Sequence, residues 1–249
     1  MVDVFEQVEE ELRSDRYKRL ARTWLPVAAV VLVVALIGAL GWWGWDSYNT
    51  NRAAKGAEAY DRGMEALRAE KPMDARAAFE EAVNVGNGAY KSLALQQQAG
   101  LAVSANKFPD AVRLFDEAAK ASKDPILSDP AAFKAAFLLM DTAPLEEIEK
   151  RLTPLTDDKR PLHAFAQEAL ALARLQHGKV KEAREAFVLL QLGQNVSDDV
   201  RQRASAAIEA IDAGTAGNLK DIIAAADKAP VAPVAAPTQS PALVGPAQQ

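Results

Sequence analysis

The longest apolar run in the chain lies near its N-terminus. Residues 25–45 read LPVAAVVLVVALIGALGWWGW and contain no charged side chain. At about 1.5 Å of rise per residue, a helix of this length spans a hydrocarbon core of about 30 Å. Trp24 precedes the run and three more tryptophans close it, as expected for rings at the headgroup level. The pattern predicts one membrane-spanning helix over residues 24–45.

The charges on either side of this run indicate its orientation. Five lysines and arginines lie between Arg13 and Arg22, whereas Arg52 and Lys55 are the basic residues among the next ten after the run. The excess of basic residues before the run predicts that the N-terminus stays in the cytoplasm and that the domain after residue 45 lies outside, in the periplasm of a Gram-negative cell. Two alternatives are a signal peptide cleaved near Ala39-Leu40-Gly41 and a buried core helix.

Residues 1–23 form the predicted cytoplasmic segment. They read as a short helix, acidic in its first half and basic in its second, with Val4, Phe5, Val8 and Leu12 near one face. This helix is either a contact point for a membrane partner or a solvated helix whose basic end meets anionic headgroups.

After the anchor, alanine and phenylalanine recur at fixed spacing. The sets are Ala75/Phe79/Ala82, Ala111/Phe115/Ala118 and Ala183/Phe187/Leu190, and Ile148 and Leu152 mark a degenerate unit between the last two. The period of 35 to 37 residues is close to the 34 of a tetratricopeptide repeat and shorter than the ~40–47 of HEAT or armadillo units. The pattern predicts an all-α protein in which a tetratricopeptide-like α-solenoid follows a single transmembrane helix.

Prolines and turn residues delimit the predicted helices. The repeat domain, residues 46–213, divides into helix pairs at about 53–84, 89–121, 129–154 and 161–192, followed by a capping helix at about 197–213 that opens at Ser197. Asp129 is the predicted N-cap of the third pair, with Pro130 at the first helical position. Residues 214–249 are rich in proline and alanine and are predicted to be a disordered spacer.

Composition argues against several classes of function. Lysine and arginine number 29 against 34 acidic residues, so the dense positive field that nucleic acids require is missing. The chain has no cysteine, and His163 and His177 stand outside any metal-binding or catalytic motif. We expect no catalytic residue, cofactor, metal or small-molecule substrate, and we interpret the protein as a binding protein rather than an enzyme.

The repeat register predicts a binding groove on the first helix of each pair. Its residues are mostly apolar, with adaptable methionines and aromatics that suit extended or partly folded polypeptide. They are Tyr60, Met64, Leu67, Leu93, Gln96, Val103, Phe133, Phe137, Met140, Phe165, Glu168, Leu172 and Leu175. The alternative is that a register error of one residue makes this stripe ordinary interhelical core.

Several segments together resemble a known family. They are VFEQVEEELRSDRYKRL, the anchor ending GALGWWGW, AKGAEAYDRGMEAL, AYKSLALQQQAGLAVSANKFPDAVRLFDEAA, DPILSDPAAFKAAFLLMD and LTPL. In this order they resemble the bacterial tetratricopeptide-repeat-like family of ancillary SecYEG translocon subunits, in its alphaproteobacterial form. The resemblance covers residues 1–213 and carries over no catalytic residue.

The resemblance implies a protein of the inner membrane that passes exported proteins to periplasmic chaperones. The implied partners are the SecYEG translocon, a periplasmic chaperone or membrane-anchored prolyl isomerase-like protein, and unfolded exported clients. A structural adaptor in cell-envelope biogenesis, binding one fixed partner in division or outer-membrane assembly, is the alternative.

Overall fold

The computed structural model describes the backbone of residues 3–216 and the side chains of residues 24–216 apart from Ala28. This part of the chain is helical and contains no strand. It divides into two compact units, which separate between Thr142 and Ala143. The predicted spacer, residues 214–249, lies outside the described residues except for its first three.

Among the described residues, the first unit has five helices, and the second has four with a short 3-10 helix. In the first unit they are α1 (Asp3–Arg68), α2 (Pro72–Val85), α3 (Gly88–Ser104), α4 (Phe108–Ala121) and α5 (Pro125–Leu138). In the second they are α6 (Leu145–Leu152), the 3-10 helix Thr153–Leu155, α7 (His163–Gln176), α8 (Val180–Leu192) and α9 (Asp198–Asp212). The predicted third pair therefore corresponds to α5 and α6, which belong to different units.

Helix α1 is continuous from before the apolar run into the first repeat. The segment Trp24–Arg68 is the one stretch of the described chain that is long and apolar enough to cross a membrane. Its most apolar 18 residues are not buried. The structure shows no helix boundary at residue 53, where the first repeat helix was expected to begin. Residues 46–52 contain neither glycine nor proline, so nothing in them interrupts the backbone ladder.

Helix α5 begins one turn earlier than the sequence predicts. Asp124 is its N-cap and accepts a hydrogen bond from the Ile126 amide (2.9 Å), and Pro125 occupies the first turn. The prediction of Asp129 as N-cap is therefore wrong, because Asp129 lies fully buried within the helix and Pro130 follows it there. The Asp-Pro pair at 124–125 offers the same capping chemistry one turn upstream.

The recurring alanine and phenylalanine positions form the cores. Phe79 packs with Ala59, Ala75 and Ala82 between α1 and α2. Phe115 packs in a second cluster of buried apolar residues in the first unit. Phe187 packs in a third cluster, which lies in the second unit. Small residues let the helix backbones approach, and each ring fills the space that remains.

Candidate protein-binding surface

An open cavity of about 480 Å³ lies in the first unit. It is bounded by α3 and α5, the first helices of two successive pairs, with Phe115 of α4 contributing to its lining. Its lining residues are Leu93, Gln96, Gln97, Gly100, Val103, Phe115, Phe133, Lys134, Phe137 and Leu138.

Small and polar contacts hold α3, α4 and α5 together on one side of this cavity. Ser92 Oγ donates to the Ala118 carbonyl (2.9 Å), and Gln96 Nε2 donates to the Leu127 carbonyl (3.2 Å). Ala131 and Ala135 of α5 pack in the same core cluster as Leu95 and Ala99 of α3. Gly100 of α3 lines the cavity, and a Cβ at this position would meet no atom within 4 Å.

Two phenylalanines on α5 give the cavity an aromatic wall. Phe133 and Phe137 are four residues apart, and their rings stack with centroids 6.2 Å apart and an interplanar angle of 23°. Phe137 is 58% exposed, although a ring of this size gains free energy on burial. Phe133 is half-buried beside it. An exposed aromatic ring beside a cavity is typical of an interaction site.

Polar groups at the cavity complement this wall. Lys134 Nζ lies 5.6 Å from the centroid of the Phe115 ring, a cation–π geometry, and its side chain is exposed. Gln97 Nε2 donates to Tyr60 Oη (3.0 Å). The ammonium group can donate and the amide oxygens of Gln96 and Gln97 can accept, which are the groups needed to pair with a peptide backbone.

Five of the thirteen predicted groove residues line this cavity: Leu93, Gln96, Val103, Phe133 and Phe137. The sequence prediction missed Gln97, Gly100, Phe115, Lys134 and Leu138. Gly100 lies four residues after Gln96, so the helical period could have found it. Phe115 belongs to a second helix, and its contribution depends on tertiary packing.

The predicted residues of α1 lie elsewhere, against the first core cluster. Tyr60, Met64 and Leu67 are half-buried and pack on the cluster that contains Phe79. The rings of Tyr60 and Phe79 are 5.5 Å apart. These three side chains contribute to interhelical packing.

The remaining predicted residues differ in exposure. Met140, in the turn after α5, is 7% exposed. In the second unit Phe165 is 41% exposed, whereas Leu172 and Leu175 are half-buried against the core cluster around Phe187. Glu168 is 8% exposed, and its two carboxylate oxygens accept hydrogen bonds from Arg203 Nε (2.5 Å) and Nη2 (2.6 Å). Met140 and Glu168 therefore offer little surface to a partner.

Comparison with known families agrees with the repeated helix pairs. A family model described as a tetratricopeptide repeat-like domain matches residues 18–210. The chain belongs to this tetratricopeptide repeat-like family. No curated protein matches the sequence significantly. The matched range begins before the apolar run, so the family pattern includes the apolar part of α1 together with the repeats.

Domains of the tetratricopeptide repeat-like family are typically non-enzymatic protein-interaction modules. Each histidine of this family member contacts backbone within or next to its own helix. His163, the first residue of α7, has its Nδ1 3.0 Å from the carbonyl oxygen of Arg160. His177, directly after α7, has its Nδ1 2.8 Å from the carbonyl oxygen of Ala173. The family membership indicates protein partners.

Proposed function

We propose that the protein is an inner-membrane-anchored scaffold or chaperone-like adaptor that binds extended polypeptide in the cavity between α3 and α5. The stacked Phe133–Phe137 pair beside this cavity, with Phe137 exposed and Phe133 half-buried, is the observation that carries the proposal. An apolar side chain of a bound segment would cover the rings, while Lys134 and the two glutamines would pair with its backbone. Such a site selects for apolar character more than for one sequence, as a carrier of many clients requires.

The continuity of α1 supports a role close to the membrane. Residues 25–45 are long enough to span the hydrocarbon core, and the helix continues without a break into the first repeat. Arg52, seven residues past Trp45, donates from Nε to the Val85 carbonyl (3.2 Å). Seven residues rise about 10 Å, so packing of the first unit begins about that far beyond the end of the anchor.

The basic residues before the anchor support an orientation with the N-terminus in the cytoplasm and the repeats in the periplasm. The order of segments that resembles the ancillary SecYEG subunits supports the translocon as the membrane partner. Under this proposal the cavity receives exported chains as they emerge and passes them to a periplasmic chaperone or a membrane-anchored prolyl isomerase-like protein.

Site-specific crosslinking in cells tests the proposal. A photoreactive residue replaces Phe137 in the full-length protein, and a matched protein carries it at Leu192, which is exposed but lies in the second unit. We expect position 137 to crosslink to several exported proteins and to a translocon subunit, at several times the yield of position 192. Crosslinks from position 137 to one fixed envelope protein would favour the envelope-biogenesis adaptor instead, and equal yields from both positions would refute the cavity as the site.

A further inference from the structure

The same left-handed turn follows four helices of the described chain. Glu70 and Asn106 have φ of 56°, and Gly178 and Gly214 have φ of 78° and 72°. The intervals between these positions are 36, 72 and 36 residues, which is the repeat period and its double. In each turn, the residue after the left-handed one donates its amide to the carbonyl of the residue five positions before it in the chain. The four bonds are Lys71 to Ala66 (2.9 Å), Lys107 to Ala102 (2.8 Å), Lys179 to Arg174 (2.8 Å) and Thr215 to Ala210 (3.0 Å).

The first three of these turns connect the two helices of a repeat. The second helix begins two residues after the left-handed residue, at Pro72, Phe108 and Val180. After Gly214 the corresponding position is Ala216, which is 7% exposed. The end of α9 therefore has the backbone geometry of a first helix that leads into a second one, rather than that of a final cap.

The exposed face of α9 has the pattern of a first helix as well. Ala207 precedes its turn by seven residues, as Gly63, Ala99 and Ala171 precede theirs. Those three residues are buried, each in a core that holds a phenylalanine of the second helix. Ala207 is half-buried, and so are Ile208 and Ile211 beside it. The described residues therefore cover this apolar face of α9 in part.

The sequence after Gly214 supplies the matching pattern. Ala75, Phe79 and Ala82 follow Glu70 by 5, 9 and 12 residues, and the sets in the second and last predicted pairs follow Asn106 and Gly178 at the same offsets. The same offsets from Gly214 reach Leu219, Ile223 and Ala226. All three are apolar, and the next proline is Pro230.

We propose that residues 216–228 dock on α9 as the second helix of a further repeat, with Ile223 over Ala207. This segment of the chain itself, rather than a partner protein, covers the apolar face formed by Ala207, Ile208 and Ile211. The proline-rich spacer then begins near residue 230 instead of residue 214. The inference is independent of the function proposed for the cavity, which lies in the first unit.

Hydrogen exchange on the full-length protein tests this docking. We expect amides of residues 219–226 to exchange at least about 100-fold more slowly than those of residues 231–245, since a docked helix opens rarely. Equal exchange rates in the two segments would overturn the proposal.

Two substitutions identify the docked face. Ile223→Asp should remove the protection of residues 219–226 and increase exchange at Ala207 and Ile208, whereas Val231→Asp, in the proline-rich stretch, should change neither. Protection of 219–226 that survives Ile223→Asp would contradict docking through Ile223. Because exchange is read segment by segment, retained protection in α7 and α8 shows that the second unit of the variant is still folded.

Discussion

Gly63 lies directly under the ring of Phe79. A Cβ at Gly63 would come within 2.5 Å of Phe79 Cε1 and 2.6 Å of Cδ1, closer than packed atoms approach. Phe79 is fully buried and belongs to the core cluster that joins α1 and α2, so the ring has little space into which to move. The first repeat therefore depends on a residue without a side chain at this position.

Replacement of Gly63 by alanine should destabilise the first unit despite alanine's higher helix propensity. We expect a loss of about 1–3 kcal/mol from overpacking against Phe79. Gly100→Ala is the matched control, because a Cβ there meets no atom within 4 Å and should stabilise α3 by about 0.5–1 kcal/mol. Thermal unfolding of the two variants checks the sign of each change; a stabilised Gly63→Ala protein would contradict the close approach.

Removal of the Arg203 side chain should destabilise the second unit, because it leaves Glu168 without its hydrogen-bond partner. Glu168 is buried, and Arg203 satisfies both of its carboxylate oxygens. We expect Arg203→Ala to cost about 1–3 kcal/mol, since the buried carboxyl oxygens of Glu168 then lose their hydrogen-bond donors. Denaturant unfolding measures the loss, and the double variant with Glu168→Leu should recover much of it. A double variant as unstable as Arg203→Ala would show that the loss does not come from the unpaired carboxylate.

The ion pair between Arg184 and Asp212 makes the stability of the second unit weakly dependent on pH in the acidic range. Arg184 Nε and Nη2 donate to the two carboxylate oxygens of Asp212 (2.7 and 2.9 Å), and these hydrogen bonds hold the pKa of Asp212 below its ordinary value of 3.8. A carboxylate with a lowered pKa in the folded state stabilises that state above its ordinary pKa, and the effect disappears as the pH falls through the lowered value.

We therefore expect the Tm difference between the unmodified protein and Asp212→Asn to be small and constant near neutral pH and to shrink below pH 3.8. Thermal unfolding at a series of pH values measures it. A difference that grew on acidification would have the wrong sign for this pair.

Local sequence pattern accounts for the repeats and for part of the cavity. Ala75, Phe79 and Ile148 are fully buried at the positions that the 36-residue period predicts, because each helix must bury one stripe. Phe133 and Phe137 were found by the same periodicity. At α5 two Asp-Pro pairs lie five residues apart and offer the same capping chemistry, and the first of them caps the helix.

Two residues of the predicted groove, Met140 and Glu168, are buried, one for a local reason and one for a tertiary reason. Helix α5 ends at Leu138, so helical spacing no longer applies to Met140, whose amide donates to the Phe137 carbonyl (3.2 Å) in the following turn. Glu168 has the spacing of a groove residue, but Arg203, 35 residues away on α9, pairs with it. The pairing of Glu168 with Arg203 crosses from one repeat to the next, so it is not visible within one repeat of sequence.

The unbroken α1 should hold the first unit at a fixed height above the membrane. Two exposed residues of α1 lie 12 residues apart: Trp43, near the C-terminal end of the apolar run, and Lys55, in the first repeat. Their axial separation is then about 18 Å. Since the chain has no native cysteine, spin labels can be placed at these two positions alone. In the full-length protein in vesicles, we expect a narrow distance distribution.

Insertion of Gly-Gly-Ser-Gly after Asn49 should broaden that distribution, because glycine and serine disfavour the helix and most residues between Trp45 and Arg52 are exposed, so that little packing restores it. Insertion of four alanines should keep it narrow and lengthen it by about 6 Å. A broad distribution in the unmodified protein would show that α1 bends between anchor and repeat, and the cavity would then have no fixed height from which to meet an emerging chain.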